Sequence, residues 1–359
     1  MLGSPNPDPT LTRAFDYTLP RELIASHPAA SRDSSRLLVM DRATGGIEHG
    51  IFHDIVGLIP EGDAIVLNET RVIPARLRGH KLTGARAEVL LLHPAHLELT
   101  DLPAGEDTWI AVVRPGARLR AGAVVEISDA LSVEIADALP DGRRIVRIVS
   151  ELAVAEALER YGEVPLPPYI ERAPRPEDRE RYQTVYARTE GSVAAPTAGL
   201  HFTPGMLGAL ERKGVRVLRL VLHVGLGTFR PVDVEKAAEH RMHAERFVLP
   251  ESTAAAISEV RDAGGRIWAV GTTVARTLET RASADGRVSP GEGWTSLFIR
   301  PPWTFRVVDR LITNFHLPRS TLLMLVAAFG GLDPVLRAYR AAVDRRYRFY
   351  SYGDAMVIL

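Results

Sequence analysis

The feature that most constrains the fold is a change of pattern near residue 151. Before it, between residues 72 and 150, short apolar segments are separated by Gly, Pro and Asp, which predicts strands at residues 72–77, 87–92, 109–113, 123–127, 131–135 and 144–149. Short strands at this spacing are typical of a small barrel or sandwich. After residue 151 strands alternate with helices, as in an α/β domain around a largely buried sheet. The β-rich block is therefore most simply an insertion into an α/β domain.

Helix start and stop signals place the elements of the α/β part. Thr203 followed by Pro204 starts a helix that stops at Gly214, and Asp333 caps another whose first residue is Pro334. The periodicity predicts helices at residues 204–213, 252–263, 273–281, 320–329 and 334–346. It predicts strands at residues 35–40, 45–52, 215–224, 266–270, 294–299 and 307–313. Prolines should make residues 163–170 a stiff, extended linker.

Composition narrows the class of protein. The chain has 44 Lys and Arg against 44 Asp and Glu, so a nucleic-acid partner would have to be held by a local basic patch. The absence of cysteine excludes disulfides, thiolate metal sites and a cysteine nucleophile. Residues 1–12 lack the regions of a signal peptide, and the longest apolar run, 322–329, is too short to span a bilayer. We therefore expect a cytoplasmic protein with no membrane partner.

The segment from Gly191 to Arg230 gives the strongest indication of function. It reads GSVAAPTAGLHFT, then a short amphipathic helix and an apolar strand, then HVGLGTFR. Both flanking turns offer a histidine, a threonine hydroxyl and glycines that allow close approach to the backbone. His223 is expected at the end of a strand buried on both faces, where α/β proteins bind ligands. A site for a polar small molecule, and hence an enzyme, is the leading hypothesis.

Three more segments carry polar groups, each with a simpler structural interpretation. Residues 271–273 (GTT) follow a strand and open a helix, whose N–H groups attract carboxylate or phosphate; the simpler interpretation is a capped tight turn. Residues 311–321 also join a strand to a helix, and Ser320 can serve there as a cap. The tail at residues 347–354 mixes aromatics with Arg348, which is typical of a core edge or of a site that stacks bases or holds a sulfonium.

The residues leave three other functions open. The GLG at residues 225–227 is typical of a methyltransferase loop, although Arg230 stands where the dinucleotide fingerprint has its third glycine. His240, His243 and Glu245 would suit a metal if a helix placed them on one face, while a hydrogen-bonding or surface histidine pair is the commoner arrangement. A non-catalytic RNA-binding module is the third alternative, and the histidines at predicted strand ends count against it.

Ten segments, taken together and in this order, form a specific pattern along almost the whole chain: FDY at 15–17, SRLLV at 35–39, LNETRVIPARL at 67–77, RYQTVY at 181–186, AAPTAGLHF at 194–202, HVGLGTFR at 223–230, HRMHAE at 240–245, GTT at 271–273, TNFHLP at 313–318 and RFYSYGDAM at 348–356. In these segments the chain resembles the S-adenosylmethionine:tRNA ribosyltransferase-isomerase family of queuosine biosynthesis. Each segment alone is weak, and their joint order is specific.

The resemblance implies both a fold and a reaction. The expected fold class is α/β: a main mixed α/β domain with an open barrel-like sheet and helices, over residues 1–72 and 155–359, and an inserted small all-β barrel domain over residues 73–154. The implied reaction transfers and isomerises the ribosyl group of S-adenosylmethionine onto 7-aminomethyl-7-deazaguanine (preQ1) at the tRNA wobble position, which gives epoxyqueuosine, adenine and methionine. We expect no metal and no cofactor beyond S-adenosylmethionine as co-substrate, a tRNA anticodon loop as partner, and a monomer.

The same resemblance, together with the polar motifs, yields candidate site residues. The proton-transfer candidates are His201, His223, His316, Glu245 and Asp354. The substrate-binding candidates are Pro196, Thr197, Gly199, Gly225, Gly227, Thr228, Arg230, Gly271, Thr272, Thr273, Arg276, Thr313 and Asn314. The methionine carboxylate is expected at residues 271–273 or at Arg276, and its ammonium at an acidic side chain. The candidates for tRNA phosphate contacts are Arg71, Arg76, Arg319 and Arg348.

Overall fold

Two short strands and a helical turn lead into a strand with no exposed residue. The computed structural model describes residues 8–225 and 232–359. The first elements are β1 (Arg36–Met40), β2 (Ile47–Ile51), α1 (Ile55–Leu58), β3 (Ala64–Asn68) and β4 (Thr70–Val72). All five residues of β3 are buried, so its apolar residues are continuous rather than alternating.

The β-rich insertion folds as a closed antiparallel barrel of six strands. They are β5 (Arg76–Lys81), β6 (Arg86–Pro94), β7 (Thr108–Arg114), β8 (Val124–Ser128), β9 (Leu131–Ala138) and β10 (Arg144–Ser150). Their order around the barrel is β10-β7-β6-β5-β8-β9, and closure leaves no free strand edge. Alternate residues such as Val89, Leu91, Val133 and Ile135 fill its interior.

After the barrel, helices and strands alternate as the sequence predicts. The elements are α2 (Val154–Tyr161), α3 (Asp178–Arg181), β11 (Thr189–Ser192), α4 (Pro204–Arg212), β12 (Arg216–Leu222), β13 (Glu245–Leu249), α5 (Glu251–Asp262), β14 (Ile267–Val270), α6 (Thr272–Arg281), β15 (Gly291–Thr295), β16 (Arg310–Asn314), α7 (Thr321–Gly330), α8 (Leu332–Asp344) and β17 (Ala355–Ile358). Strands β4 and β11 form a separate parallel pair.

The remaining strands form one open sheet in the order β15-β13-β12-β3-β14-β16-β17-β1-β2. Its four central strands β12, β3, β14 and β16 are parallel to one another. The chain leaves this sheet after β3, builds the barrel, and returns to pair β12 with β3. The barrel is thus inserted beside the centre of the sheet.

Helices cover both faces of the sheet, which sets the position of the core. Ala64 and Val66 of β3 pack into a cluster with α5, α6, α7 and α8, whereas Ile65 and Leu67 pack with α1 and α4 on the other face. Side chains therefore alternate between two buried layers, as strand geometry requires. The predicted fold class, an α/β sheet domain with an inserted β-barrel, is confirmed.

Four predicted element boundaries are wrong, and backbone hydrogen bonding explains them. The barrel begins at Arg76 rather than at residue 72, because residues 70–72 pair with β11 and Pro74 has no N–H to donate. Strand β16 begins at Arg310 rather than at residue 307, since the N–H groups of Val307 and Val308 donate to the Glu279 carboxylate at 3.0 and 3.2 Å.

Strand β15 covers residues 291–295 rather than 294–299, because the carbonyl of Leu297 accepts from Arg276 Nε and its N–H donates to the Thr295 hydroxyl. Helix α8 begins at Leu332 after Gly331, so Pro334 lies within the first turn, where a missing N–H costs little. Among the described residues no single helix is long and apolar enough to cross a membrane; α7 and α8, bent by 115° at their break, pass that test of length and composition only as a pair.

Candidate active site

The candidate residues gather where the central parallel strands end. Strand β3 ends at Asn68, β16 ends at Asn314, His223 follows β12, and Gly271 follows β14. Because these strands are parallel and adjacent, their carboxyl ends share one edge of the sheet, where α/β proteins bind ligands. The segment at residues 194–197 crosses this edge, and Ala194 pairs with Val224.

A small cavity of about 60 Å³ lies at this edge. Eight residues predicted for the site line it: Pro196, Thr197, Gly271, Thr272, Thr273, Thr313, Asn314 and His316. Tyr169, Val224, Tyr350 and Ser351 complete much of the wall. None of the described lining residues is Asp, Glu, Lys or Arg. The expectation that an acidic side chain holds the methionine ammonium therefore has no candidate in this wall.

The turn from β14 to α6 presents the first backbone N–H groups of a ten-residue helix. Gly271 adopts φ 92°, which strongly favours glycine, and no side chain caps α6. Asn68 ties this turn to β12, because its Nδ2 donates to the Leu222 carbonyl at 2.8 Å and to Thr273 Oγ1 at 3.3 Å. The strand ends are thus fixed by a buried polar network as well as by the sheet.

His201 and Asn314 form a buried pair behind the small cavity. Asn314 Nδ2 donates to His201 Nε2 at 3.1 Å and lies 3.3 and 3.4 Å from the carbonyls of Tyr350 and Asp354. His201 Nδ1 therefore carries the proton and donates to Ser35 Oγ at 2.6 Å. Burial lowers the pKa of His201 to about 4, so the ring is neutral near pH 7.

The orientation of the Asn314 amide leaves its oxygen free. Asn314 is 1% exposed, and its Oδ1 has no hydrogen-bond partner among the described residues. The same holds for the hydroxyl of Tyr350, another buried residue of the cavity wall. Buried polar atoms without partners are costly, so these two oxygens on residues of one cavity wall are candidates for hydrogen bonds to a ligand.

His316 belongs to the wall of the small cavity. Its Nε2 lies 2.8 Å from Thr313 Oγ1, and its main-chain N–H donates to Tyr339 Oη at 3.1 Å. Burial lowers its pKa to about 3, so it too is neutral near pH 7. This side chain can therefore accept or donate a hydrogen bond without adding charge to the cavity.

His223 lines a second, much larger cavity of about 1190 Å³. Its Nδ1 lies 2.8 Å from Thr70 Oγ1, and no described residue bonds to its Nε2. The ring packs on Gly191, where a Cβ would lie 3.0–3.2 Å from three ring atoms, so only glycine allows this contact. Burial lowers the pKa of His223 to about 4. The neutral ring is thus held by one nitrogen, and the other remains available as a base.

The large cavity lies between the sheet and the barrel. The barrel contributes His93, Glu98 and Trp109, and the sheet contributes Glu245 and Trp294. The rings of His93 and Trp294 meet edge to face with centroids 5.2 Å apart, which connects the two parts. Val224 lies in the walls of both cavities, so the large and small cavities are neighbours.

Glu245 and Arg276 form a buried ion pair at the edge of the large cavity. The two residues are each 5% exposed; Arg276 Nη1 donates to Glu245 Oε2, and Glu245 Oε1 accepts from the N–H of Gly225 at 2.8 Å. The other guanidinium donors of Arg276 reach the carbonyls of Leu297 and Thr295 at 3.0 and 3.2 Å. Each of the three guanidinium nitrogens of Arg276 thus has a partner within the protein.

Other predicted residues lie away from the two cavities. Asp354 is buried and accepts from the backbone of Arg36 and Arg348, which fixes the C-terminal turn. Gly199 packs against Tyr186, where a Cβ would lie 2.0 Å from the hydroxyl. Gly227, Thr228 and Arg230 lie outside the described residues.

The four candidate arginines differ in their availability. Arg71 and Arg319 are exposed and make long ion pairs with Glu190 and Asp16, at 3.7 and 3.3 Å. Arg76 is half-buried beside Glu88, and its Nη2 donates to the Leu166 carbonyl. Arg348 is half-buried and donates to the carbonyls of His27 and Tyr352. Only the first pair is free enough to meet phosphate without breaking internal bonds.

The structure also bears on the metal-site alternative. Residues 240–244 are not helical, and Glu245 opens β13, so His240, His243 and Glu245 do not share the helical face that this alternative requires. Within residues 8–225 and 232–359, no group of three His, Asp or Glu could hold a metal ion.

Sequence reasoning missed several residues of the site. Ser35 and Tyr350 occur in motifs that the resemblance identified, but nothing in the sequence indicated that they orient Asn314 or line the cavity. His93, Trp109 and Trp294 are far apart in sequence and meet only because the barrel lies against the sheet. Asn68 could have been found, since a polar residue directly follows four apolar residues of a strand.

Comparisons with known proteins show the family of the chain. Residues 12–358 match the sequence profile of a family described as queuosine biosynthesis protein. The chain is 50% identical to the S-adenosylmethionine:tRNA ribosyltransferase-isomerase of Natranaerobius thermophilus, over 96% of this chain and 98% of that protein. It is 52% identical to the protein of the same name from Symbiobacterium thermophilum, over the same shares. A crystal structure of the Thermotoga maritima S-adenosylmethionine tRNA ribosyltransferase is similar, with TM-score 0.54 and 40% identity, over 96% of this chain and 100% of that one.

Proposed function

The chain belongs to the queuosine biosynthesis protein family, and we propose that it transfers and isomerises the ribosyl group of S-adenosylmethionine onto 7-aminomethyl-7-deazaguanine at the wobble position of tRNA. The products are epoxyqueuosine in the RNA, adenine and methionine. This reaction joins two substrates, so it needs two neighbouring binding spaces that open onto a common point.

The two cavities that share Val224 are the observation that carries this proposal. The large one, at about 1190 Å³, has room for an unstacked base together with a nucleoside. Its wall has aromatic faces, Trp109 and Trp294, against which a flipped base can stack. A wobble base must leave the anticodon stack to reach any enzyme pocket, so such a space is required.

His223 is our candidate for the general base. A sulfonium acidifies the hydrogens on the adjacent ribosyl C5′, so a positioned neutral base can begin the isomerisation. His223 lines the large cavity, is neutral near pH 7, and keeps Nε2 free while Nδ1 is held by Thr70. His316, the other candidate, lies in the wall of the small cavity beside Thr313, where we assign it to hydrogen bonding rather than to proton transfer at the ribosyl group.

The remaining acid–base candidates act by positioning. His201 orients Asn314 through Nε2 and is itself held at Nδ1 by Ser35, and Asp354 uses its carboxylate to hold backbone N–H groups. Glu245 keeps the Gly225 turn and Arg276 in place. A residue whose polar atoms are all engaged is poorly suited to exchange a proton with a substrate.

Exposed arginines bind the tRNA phosphates, with Arg71 and Arg319 as the main candidates.

We also propose that the enzyme works as a monomer in the cytoplasm, without a metal, and that residues 73–154 form the inserted domain. Size-exclusion chromatography with light scattering tests the monomeric state. The expected mass is that of one chain without RNA, and that of one chain plus the bound RNA when RNA is present. A stable dimer would contradict it.

Isotopic labelling tests the reaction against a methyltransferase. The protein is incubated with a stem-loop bearing 7-aminomethyl-7-deazaguanine and with S-adenosylmethionine labelled either in the ribose or in the methyl group. The ribose label should enter the RNA while the methyl label leaves with methionine. Methyl label in the RNA, with S-adenosylhomocysteine formed, would overturn the proposal in favour of methyl transfer.

A further inference from the structure

We propose that the small cavity binds the α-amino acid end of S-adenosylmethionine, with the carboxylate at the first turn of α6 and the ammonium at Asn314 Oδ1. The inference rests on the proposed function for the identity of the rest of the ligand. It assigns atoms of this chain to a zwitterionic head group and leaves the adenosine part to the large cavity.

Size is the first reason. A water molecule needs roughly 10–15 Å³ of cavity volume. The small cavity, at about 60 Å³, therefore holds only a few atoms of that size. Adenine and ribose are too large for it, whereas a carbon bearing a carboxylate and an ammonium is of the right order. Because Val224 makes the two cavities neighbours, the proposal assigns the remainder of the molecule to the large cavity.

The helix start favours the carboxylate. Helix α6 has ten residues, no side-chain cap, and Thr272 and Thr273 in its first turn on the cavity wall. Unpaired N–H groups and the helix dipole attract an anion at this position. Arg276, the other predicted carboxylate partner, does not line the small cavity, and each of its three guanidinium nitrogens already bonds to Glu245, Leu297 or Thr295.

The unpartnered oxygens favour the ammonium. Asn314 is 1% exposed and its amide is held by His201 and by two backbone carbonyls, which leaves Oδ1 as an unused acceptor. Tyr350 adds a second unused oxygen in the same wall. An ammonium has three hydrogens to donate and can satisfy both.

Charge balance distinguishes a zwitterion from other ligands. The described lining residues include no Asp, Glu, Lys or Arg, and the pKa of His316 is lowered to about 3 by burial. A wall without net charge penalises a lone carboxylate or a lone ammonium, but it accepts a pair whose charges are close together.

Calorimetric titration of three ligands tests this assignment. S-adenosylmethionine should bind at least about 30-fold more tightly than its decarboxylated analogue, since hydrogen bonds to charged groups are the strong ones. Tyr350→Phe should weaken S-adenosylmethionine about 10-fold, and Asn314→Leu by more. Neither variant should change the affinity for 5′-methylthioadenosine, which lacks the head group. Tyr182→Phe, at a buried tyrosine outside the cavity wall, is the matched control and should change nothing.

Three outcomes overturn the inference. The first is equal affinity for S-adenosylmethionine and its decarboxylated analogue, and the second is an unchanged affinity of Tyr350→Phe for S-adenosylmethionine. The third is that S-adenosylmethionine does not bind at all. Adenine release with the modified stem-loop is measured in parallel. Normal adenine release with equal ligand affinities would reject the head-group site and leave the proposed function intact. Tighter binding of S-adenosylmethionine than of its decarboxylated analogue, without any adenine release, would support the head-group site and reject the proposed function.

Discussion

At the scale of single residues, three buried histidines differ in their hydrogen bonds although all three have lowered pKa values. Burial lowers the pKa of His201 and His223 to about 4 and that of His316 to about 3. The hydrogen bonds separate them: His201 has both ring nitrogens engaged, whereas His223 has one. The sequence could supply all three as candidates, because each follows a recognisable turn. It could not rank them, since their partners Ser35, Thr70 and Asn314 come from distant segments.

Removing the imidazole of His223 should abolish most of the turnover. We expect His223→Gln to reduce kcat by about 10²–10⁴-fold, the usual contribution of a general base, with little change in the unfolding midpoint. His53→Gln, at an exposed histidine, is the control. Adenine release under saturating substrates measures the effect. An unchanged kcat in the His223 variant would remove this residue from the proton-transfer steps.

The pH dependence of kcat should reflect the lowered pKa of His223. The active form of the base is neutral, so activity should persist as the pH falls through 6.5 and should be lost only near the folded pKa of about 4. The rate of adenine release between pH 4 and 8 measures this. An acid limb centred near 6.5 that disappears in His223→Gln would show that the ring titrates like an exposed histidine.

The free energy of unfolding should decrease as the pH is lowered from about 6.5 to about 4. In the unfolded chain these histidines bind a proton near pH 6.5, whereas in the native state they stay neutral down to about 4 or 3. The unfolded state therefore binds more protons between those values, and each histidine lowers the free energy of unfolding by about 1.4 kcal/mol per pH unit there. Urea unfolding of the wild type and of His201→Gln at pH 7, 6 and 5 tests this. The variant should have the shallower slope, and equal slopes would contradict the assignment.

At the scale of elements, the sequence predicted helices α4 to α8 to within two residues and missed the shorter helices α1, α2 and α3. Helix α4 has the predicted Thr203 cap, whose hydroxyl accepts from the Met206 N–H at 3.2 Å. Strands β3, β11, β13 and β17 were not predicted, because a segment of five residues or fewer is too short for a period that distinguishes a strand from a buried loop. The predicted bounds of β15 and β16 were wrong because side chains bond to the backbone there. Arg276 donates to the Leu297 carbonyl and Glu279 accepts from the Val307 N–H, so these groups do not pair with a neighbouring strand. Local pattern cannot reveal such distant partners.

The buried ion pair between β13 and α6 should be strongly coupled. We expect Glu245→Gln and Arg276→Met each to lower the free energy of unfolding by about 3–5 kcal/mol, because each leaves a buried partner unpaired. The double variant should lose much less than the sum, since it removes both charges. Urea unfolding of the four proteins gives the coupling energy. Strictly additive losses would mean that the two side chains are stabilised independently.

At the scale of the whole molecule, the barrel and the sheet build one large cavity that neither contains alone. The chain has no net charge, so RNA binding depends on a few local arginines rather than on a general field. Pattern and composition predicted the two architectures and their order. They could not predict that His93 and Trp109 of the barrel would face Glu245 and Trp294 of the sheet, because that contact depends on how the two parts are placed.

The salt dependence of RNA binding should be modest and should report on the exposed arginines. Each phosphate contact to a single strand contributes a slope of about −0.7 in log K against log salt. Arg71→Gln and Arg319→Gln should each reduce the steepness by about that amount, whereas Arg287→Gln, at an exposed arginine of the α6–β15 turn, should leave it unchanged. Fluorescence anisotropy of a labelled stem-loop measures the slopes. Identical slopes in all four proteins would place the phosphate grip elsewhere.

The most direct measurement combines the purified protein, S-adenosylmethionine and an anticodon stem-loop bearing 7-aminomethyl-7-deazaguanine. Free adenine is followed by chromatography and the RNA by mass spectrometry, with His223→Gln as the inactive comparison. We predict that adenine is released in step with an RNA that gains a ribosyl-derived cyclopentane epoxide. Folded wild-type protein that releases no adenine and leaves the RNA mass unchanged would contradict the assigned reaction.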